Sequence, residues 1–454
     1  MTRVLLIQAP LGRREPPVLP IGLAWLAAGL PAGWPIRIHD PNVDDTPVEA
    51  VVAAFRPDVV GLSLRNIDTT QYKDPYCFFE HFPPFVRRVK ACVAPGVPVV
   101  VGGAGFSLFG DAVMQRVPEL DLGVNLEGEL TFPRLLGALD QPQSVPGVYY
   151  RREGVVHFTG PGPRADLSEL RPRLDLVDIP RYAPYDGNYA IGIQTKRGCV
   201  LQCAYCTYVL LSGNRLRLRN PVHVVDEVEL YVKEHGVKKI FFADAVFNLP
   251  PAHARAIAEE IVRRKLEVRW RAYHNERAID ADYMRLAVES GCTEFTFSPD
   301  AWAPQTLSLL QKNVGPADIL RSLELVRDTP GAVANYNFMI GLPGQDLREL
   351  AGILKFWAHA RRRLGKRLQG FRLAYVRVEP GTALHATLRA DDDVDALLPQ
   401  TEADLRGLFQ TRTGHRSMDL FCTMTQVHLW PLSRRPQAQV GDERRSRLRG
   451  ALHA

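Results

Sequence analysis

Two series of short apolar runs alternating with amphipathic stretches organise the chain. In the first 140 residues, apolar runs fall at 4–7, 36–38, 59–63, 97–101 and 122–124. Stretches with helical spacing follow near 21–30, 47–55, 78–93, 107–117 and 131–139. Uninterrupted apolar runs separated by amphipathic helices predict buried parallel strands covered on both faces, a doubly wound sheet. Such sheets bind ligands outside the carboxyl ends of their strands. Three loops then surround one crevice: the Pro/Gly/Arg-rich 9–20, the polar 65–75, and the loop that opens Gly102-Gly103-Ala104-Gly105.

Residues 147–158 read as a hairpin turning at Glu153-Gly154. Residues 160–184 are rich in proline and charge without an apolar period, which predicts an extended linker. A second alternating series starts at Tyr189. Its strands are predicted at 190–195, 239–242, 268–273, 293–297, 334–340 and 371–376, and its helices near 222–235, 252–264, 281–290, 317–327 and 347–363. Eight such units close a full barrel. Six predict a partial (β/α)6 barrel of the TIM type, with its chemistry again at the carboxyl ends. The expected divisions are 1–145 for the Rossmann-like unit, 146–188 for hairpin and linker, 189–390 for the barrel, and 391–454 for a small C-terminal segment.

Composition adds mainly exclusions. Apolar residues are 46% and charged residues 23% of the 454, which excludes wholesale disorder, collagen and coiled coil. No apolar run approaches the 18 or so residues of a spanning helix, and the N-terminal run is too short for a signal peptide. Seven cysteines are too few for a disulfide scaffold, so a reducing cytoplasm is the expected compartment, with no membrane partner. The net charge of +6 is uneven: six arginines between Arg434 and Arg449 face only Asp442 and Glu443. A solvated, frayed end accounts for that tail; contact with nucleic acid or acidic lipid is the alternative.

The chemistry concentrates in Cys199-Val200-Leu201-Gln202-Cys203-Ala204-Tyr205-Cys206, directly after the first barrel strand. Structural zinc wants four ligands, and the nearest histidine downstream is His223. Three thiolates suit a [4Fe–4S] cluster with one iron left open to a chelating ligand.

This Cys-x3-Cys-x-aromatic-Cys segment resembles the signature of the radical S-adenosylmethionine (SAM) family, with Tyr205 at the aromatic position. The resemblance implies that Cys199, Cys203 and Cys206 hold the cluster and that SAM chelates its open iron. It also implies SAM contacts at Tyr205, at Asp244 facing the methionine ammonium, at Ser298 and Asp300 near the ribose, and at Ile340 and Gly341 against adenine. Asp300 as a helix cap is the plainer reading of that residue. Arg377-Val378-Glu379-Pro380-Gly381-Thr382 resembles the segment that closes the family's core.

A doubly wound domain ahead of such a barrel resembles the cobalamin-binding domain of B12-dependent radical SAM enzymes. The supporting segments are 20–28, 61–68, Gly102-Gly103 and Glu127-Gly128-Glu129. The Asp-x-His-x-x-Gly string that supplies a histidine to cobalt is absent. The resemblance then implies cobalamin with no histidine ligand, flanked by Arg65, Asn66 and Asp68, its nucleotide tail approached by Gly102, Gly103 and Gly105. An Arg65–Asp68 pair is the plainer alternative.

The family chemistry implies one electron from an external donor, SAM cleavage to a 5′-deoxyadenosyl radical, hydrogen abstraction, and methyl transfer from methylcobalamin. The expected function is C-methylation of an unactivated carbon on a small metabolite or peptide intermediate. Cyclisation or rearrangement with the same cofactors is the first alternative. A non-catalytic zinc- or RNA-binding module is the second. The run 361–367 favours RNA slightly, but a solvated helix face explains it, and nucleic acid is disfavoured as a partner. Tyr273, His274, Asn275, Glu276 and Tyr336 are candidate lumen residues, with His274 and Glu276 acid–base candidates by type. Trp302 and Tyr208 are candidate apolar walls.

Overall fold

A computed structural model of the chain describes residues 1–12, 15–389 and 397–426. The basic tail predicted beyond Ser433 lies outside the described residues.

The first sheet contains β1 (Val4–Gln8), β2 (Ile36–His39), β3 (Val59–Ser63), β4 (Val99–Gly102), β5 (Leu122–Val124), β6 (Val148–Arg152) and β7 (Val155–Phe158). Its order is β2-β1-β3-β4-β5-β6-β7, and the first five strands are parallel. All five residues of β1 are buried, because helices cover both faces. The order reverses between β1 and β3, the switch point where doubly wound sheets open a crevice.

The hairpin is not part of a linker. β6 pairs antiparallel with β5, Leu122 opposite Tyr150, so the first domain's sheet runs on to Phe158, past the boundary expected at 145. Its turn has φ +53° at Glu153 and +81° at Gly154, the two left-handed residues a tight hairpin requires.

The segment expected as an extended linker is also packed. Leu174, Val177, Ile179 and Tyr182 are buried in the barrel's core cluster with Leu19 and Ala24. Tyr182 Oη donates to Asp40 Oδ2 at 2.6 Å. The apolar residues are too irregularly spaced to show as a period, because they serve short turns rather than one helix face.

The second domain contains β8 (Gly192–Ile193), β9 (Lys196–Arg197), β10 (Arg217–Leu218), β11 (Lys239–Phe242), β12 (Arg269–His274), β13 (Cys292–Asp300), β14 (Ala334–Ile340), β15 (Leu368–Arg377) and β16 (Phe409–Gln410). Its main sheet runs β16-β15-β14-β13-β12-β11-β8. Six strands from β8 to β15 are parallel, the predicted partial barrel, and β16 closes one edge antiparallel to β15. The first barrel strand keeps only two of its six expected residues. After Ile193 the chain turns out of the sheet, and Lys196–Arg197 pairs with β10 instead.

The covering helices start where their sequences say. Asn220, Asp280 and Asp346 each accept a backbone N–H at the first turn of Pro221–Lys233, Ala281–Glu289 and Leu347–Leu364. Beyond 397 the chain does not trail away. Leu397, Leu398, Leu405 and Leu408 enter the apolar core of the first domain beside Phe79, Phe82 and Met114. Among the described residues, no helix is long and apolar enough to cross a membrane.

Candidate active site

The cysteine loop starts from a strained glycine. Gly198 has φ +89°, and a Cβ there would stand 2.0 Å from Arg215 O, so no other residue fits without moving β10. Cys199 N donates to Gly213 O at 3.0 Å, and Cys206 N to Cys203 O at 3.0 Å, which turns the loop back on itself. Ala204 N donates to Leu310 O, and Leu384 N donates to Ala204 O, pinning the loop to the barrel rim.

Burial pushes all three thiols up, Cys206 to about 11, with Lys312 opposing the shift at each. The Cys206 thiol feels both Cys203 and Cys199, so the three share one field. Left alone they stay protonated at neutral pH, and a metal centre must displace the protons. Among the described residues, no three His, Cys, Asp or Glu side chains converge closely enough to hold a single ion. Zinc with sulfur ligands at about 2.3 Å needs that convergence. Three cysteines on one loop supply one ligand fewer than structural zinc wants, and suit a multi-iron cluster with one iron left open.

Around the thiols the barrel rim is charged and already paired. Asp244, expected opposite a ligand ammonium, faces a protein one. Its Oδ2 accepts from Lys196 Nζ at 2.7 Å, and its Oδ1 accepts from Thr195 N at 2.8 Å. The pair is almost fully buried, and Lys196 Nζ also donates to Phe247 O. Asp244 thus fixes the base of the cysteine loop. Asp300 accepts from Tyr205 Oη and from Lys312 Nζ at 2.7 Å. It is not a helix cap: the next helix, Pro304–Leu309, begins at Ala303. Ser298 Oγ accepts from Asn337 Nδ2 at 3.0 Å, and Ser298 O from Lys312 Nζ.

The Ile340 side chain lies in a core with Leu350, Tyr375 and Met418. Gly341 has φ +80°, and its missing Cβ makes room for Gln410 O and Tyr375. That glycine lets the closing strand and Tyr375 come close to this turn. His274 is fully enclosed between Ala272 O and Tyr283 Oη, and burial holds it near pKa 3. It is a neutral core residue, not an acid–base group. Tyr336 is buried on Ser322, and Trp302 packs on Phe356. Asn275 bonds Asn313. Glu276 differs: it is 2% exposed, its Oε1 has no partner among the described residues, and burial raises it to about 7. Tyr208, beside Cys206 and Cys199, and Tyr273, beside Tyr208, remain 43% and 41% exposed, open aromatic walls.

The first domain brings a cavity of about 250 Å3 to the same place. Gly61, Ser63, Gly102 and Gly103 form its floor, with Trp25, Glu127 and Glu129 along its sides. Gln194, Arg197, Leu211 and Ser212 come from the cysteine-loop side. Gly103 has φ +102°, and a Cβ there would meet Leu64 O at 2.6 Å. Gly105 N donates to Leu64 O and Arg65 O, so this glycine packs loop on loop instead of lining the cavity.

Arg65, Asn66 and Asp68 also stand outside the cavity wall. Asp68 does not pair with Arg65; its Oδ2 lies 2.8 Å from Arg377 Nη2 on β15. Arg65 carries a buried Nε without a partner among the described residues, near Glu15, Asp40 and Tyr208.

Reasoning from sequence missed the residues that join the halves. Arg197, next to Gly198 and Cys199, donates to Glu127 Oε2 at 3.1 Å and Glu129 Oε1 at 2.6 Å, and lies over Trp25. Arg217 and Arg164 also bind Glu127 and, with Arg197, hold its carboxyl below the usual range against burial, which acts the other way. Glu127 and Glu129 were visible as a motif, but nothing in sequence showed their partners. Lys312 sits in an aperiodic stretch and gave no signal.

The family model for the radical SAM superfamily matches residues 193–356, and that for the B12 binding domain matches residues 8–136. The chain belongs to the radical SAM superfamily and carries a B12-binding domain. The chain is 27% identical over 350 residues to an uncharacterized methyltransferase of Pyrococcus horikoshii, covering 74% of this chain and 72% of that one. It is 25% identical over 347 residues to the anaerobic magnesium-protoporphyrin IX monomethyl ester cyclase of Rubrivivax gelatinosus, covering 73% and 60%. Its fold is similar to that of the radical SAM methyltransferase TsrM from Kitasatospora setae, solved with cobalamin and a [4Fe–4S] cluster. The TM-score is 0.74 at 24% identity, covering 86% of this chain and 78% of that one. In this radical SAM chain the cysteine loop falls inside the first matched region, and the cavity floor inside the second.

Proposed function

We propose that the chain is a cobalamin-dependent radical SAM C-methyltransferase acting on a small molecule or peptide intermediate. The observation that carries the reading is the shared wall. One cavity is floored by the glycine loops of the B12-binding domain and closed by Gln194, Arg197, Leu211 and Ser212 beside the cysteines.

The residues fit the groups. Three thiols, Cys199 buried and Cys203 and Cys206 half-buried, with a common cation, Lys312, suit a cluster. The cavity is mostly apolar and glycine-floored, as a flat heterocycle requires. Trp25 Nε1 and Glu129 Oε2 in its wall are buried without partners among the described residues, a donor and an acceptor for a bound tail. When bound, the cluster and SAM supply one-electron radical chemistry, and cobalamin supplies a methyl carrier.

The chain's own residues position and exclude. Cys199, Cys203 and Cys206 hold the cluster. Tyr205, through Asp300 and Lys312, fixes the loop's tilt. Ser298 and Asn337 offer polar atoms for SAM. Arg65 and Asn66 would flank the corrin's lower side, Arg65 with a buried Nε that no described residue satisfies. Tyr208 and Tyr273 set an aromatic substrate wall. Cobalamin belongs to the unit ending at Phe158, SAM and cluster to the barrel between 189 and 390.

The test is iron, sulfide and cobalamin content after anaerobic purification, followed by SAM labelled at its methyl group. About four irons and one cobalamin per chain, with label in the product, is the expected result. Iron without cobalamin overturns the methyl-carrier reading. The likeness to a cyclase keeps a second reading, ring formation with the same cofactors. Label retained outside the product would favour it.

A further inference from the structure

The loop between β3 and the helix Phe82–Cys92 carries Arg65 and Asn66, yet its far half is held by the barrel. Asp68 is buried against Arg377, the last residue of β15, at 2.8 Å. The contact is a close ion pair rather than a well-aligned hydrogen bond. Arg377 forks to a second carboxylate, Glu379. Four residues along the loop, the Tyr72 ring packs on Tyr375 at 4.8 Å and on Phe409 of β16 at 5.5 Å. Tyr375 Oη donates to Cys422 O at 3.0 Å, which ties in the helix Arg416–Gln426. Cys77 Sγ, at the loop's far end, lies 3.7 Å from Pro399 O, its acceptor. Each barrel-side or C-terminal partner here lies beyond residue 356, outside both regions matched by the family models.

A buried ion pair adds little net stability, because desolvation offsets attraction. It does fix geometry, and an arginine fork between two carboxylates fixes it in two directions. Glu15 from the first loop also faces Asp68, as Glu379 does, and Glu15 in turn faces Arg65.

We infer that Arg377 is a positioning residue: by holding Asp68 it sets the height of Arg65 and Asn66 beneath the corrin, relative to the barrel mouth. The inference rests on the proposed cobalamin site. Asp68 itself then binds no ligand; it is the handle by which the barrel grips the loop.

The test uses the full chain and three variants, Arg377→Gln, Arg377→Lys and the swap Asp68→Arg with Arg377→Asp. Hydrogen exchange of the cofactor-free protein reads the loop directly. Arg377→Gln should speed exchange over 64–78 while leaving β1, β4 and β12 protected. Titration with hydroxocobalamin should show affinity falling roughly tenfold in Arg377→Gln, less in Arg377→Lys, and recovering in the swap. Iron content after reconstitution should not change. If exchange over 64–78 is unchanged in Arg377→Gln, the inference is overturned. It is also overturned if the loop loosens without any loss of hydroxocobalamin affinity. Exchange that rises uniformly with a drop in iron content would mark a merely structural residue. If the unaltered chain takes up no hydroxocobalamin, the cobalamin reading fails, and the exchange arm still decides whether Arg377 holds the loop.

Discussion

The two seven-stranded sheets of this molecule end in opposite ways. At the carboxyl ends of the first sheet the chain uses glycine and small residues, and Gly61, Gly102 and Gly103 leave a cavity of about 250 Å3. At the carboxyl ends of the barrel it uses buried ion pairs, Lys196 with Asp244 and Lys312 with Asp300. The first rim makes room; the second holds a loop in place. A preformed cavity suits a large rigid ligand, whereas a loop that must present three thiols needs its frame fixed before anything binds.

The strongest way to break this contrast is at the thiols themselves. Cys203→Ala removes one cluster ligand, and iron retention and SAM cleavage should both be lost; methylation persisting in that variant would sink the reading. Next is the frame. Asp244→Ala strands the Lys196 ammonium in the core and should cost about 3–5 kcal/mol in a denaturant melt, with part recovered when Lys196 is replaced by Met as well.

Glu276 sharpens the comparison by pH. Its folded pKa of about 7 lies above the ordinary carboxyl value of 4.5, so the folded state binds the extra proton between those values. Stability therefore falls as pH rises from about 4.5 to 7 and is level above, by up to about 3 kcal/mol. Glu276→Gln should flatten that slope, measured as the melting midpoint against pH.

Gly103→Ala tests the other rim. A Cβ at φ +102° against Leu64 O should cost about 1–3 kcal/mol and reduce hydroxocobalamin uptake while leaving iron content alone. The smallest effect is the control: Arg88→Ala breaks an exposed pair with Glu49 and should change stability by less than about 1 kcal/mol.

The fold was legible where periodicity is strong. Strands at 59–63, 122–124, 239–242 and 334–340 fall where the apolar runs predict. Periodicity failed where tertiary partners decide the backbone. The strand expected at 190–195 is cut to Gly192–Ile193 because Thr195 turns to Asp244, 49 residues away. The linker was misread because Leu174 and Tyr182 pack singly. Within the site, the cysteines and Tyr205 stood out through the resemblance of their segment to a family signature. Asp244, Ile340 and Gly341 were found, but their protein partners Lys196, Leu350 and Gln410 were not. Asp68, expected at the cofactor, is held by Arg377. No local pattern encodes a pair so far apart along the chain.

The four leucines from 397 to 408 have a consequence for biosynthesis. They complete the core of a domain whose sheet is finished by residue 158. On a ribosome adding roughly 5–20 residues per second, that face waits for tens of seconds before its cover is made. The first domain's apolar cluster with Phe79 and Phe82 is therefore completed only when the last of these leucines has been made.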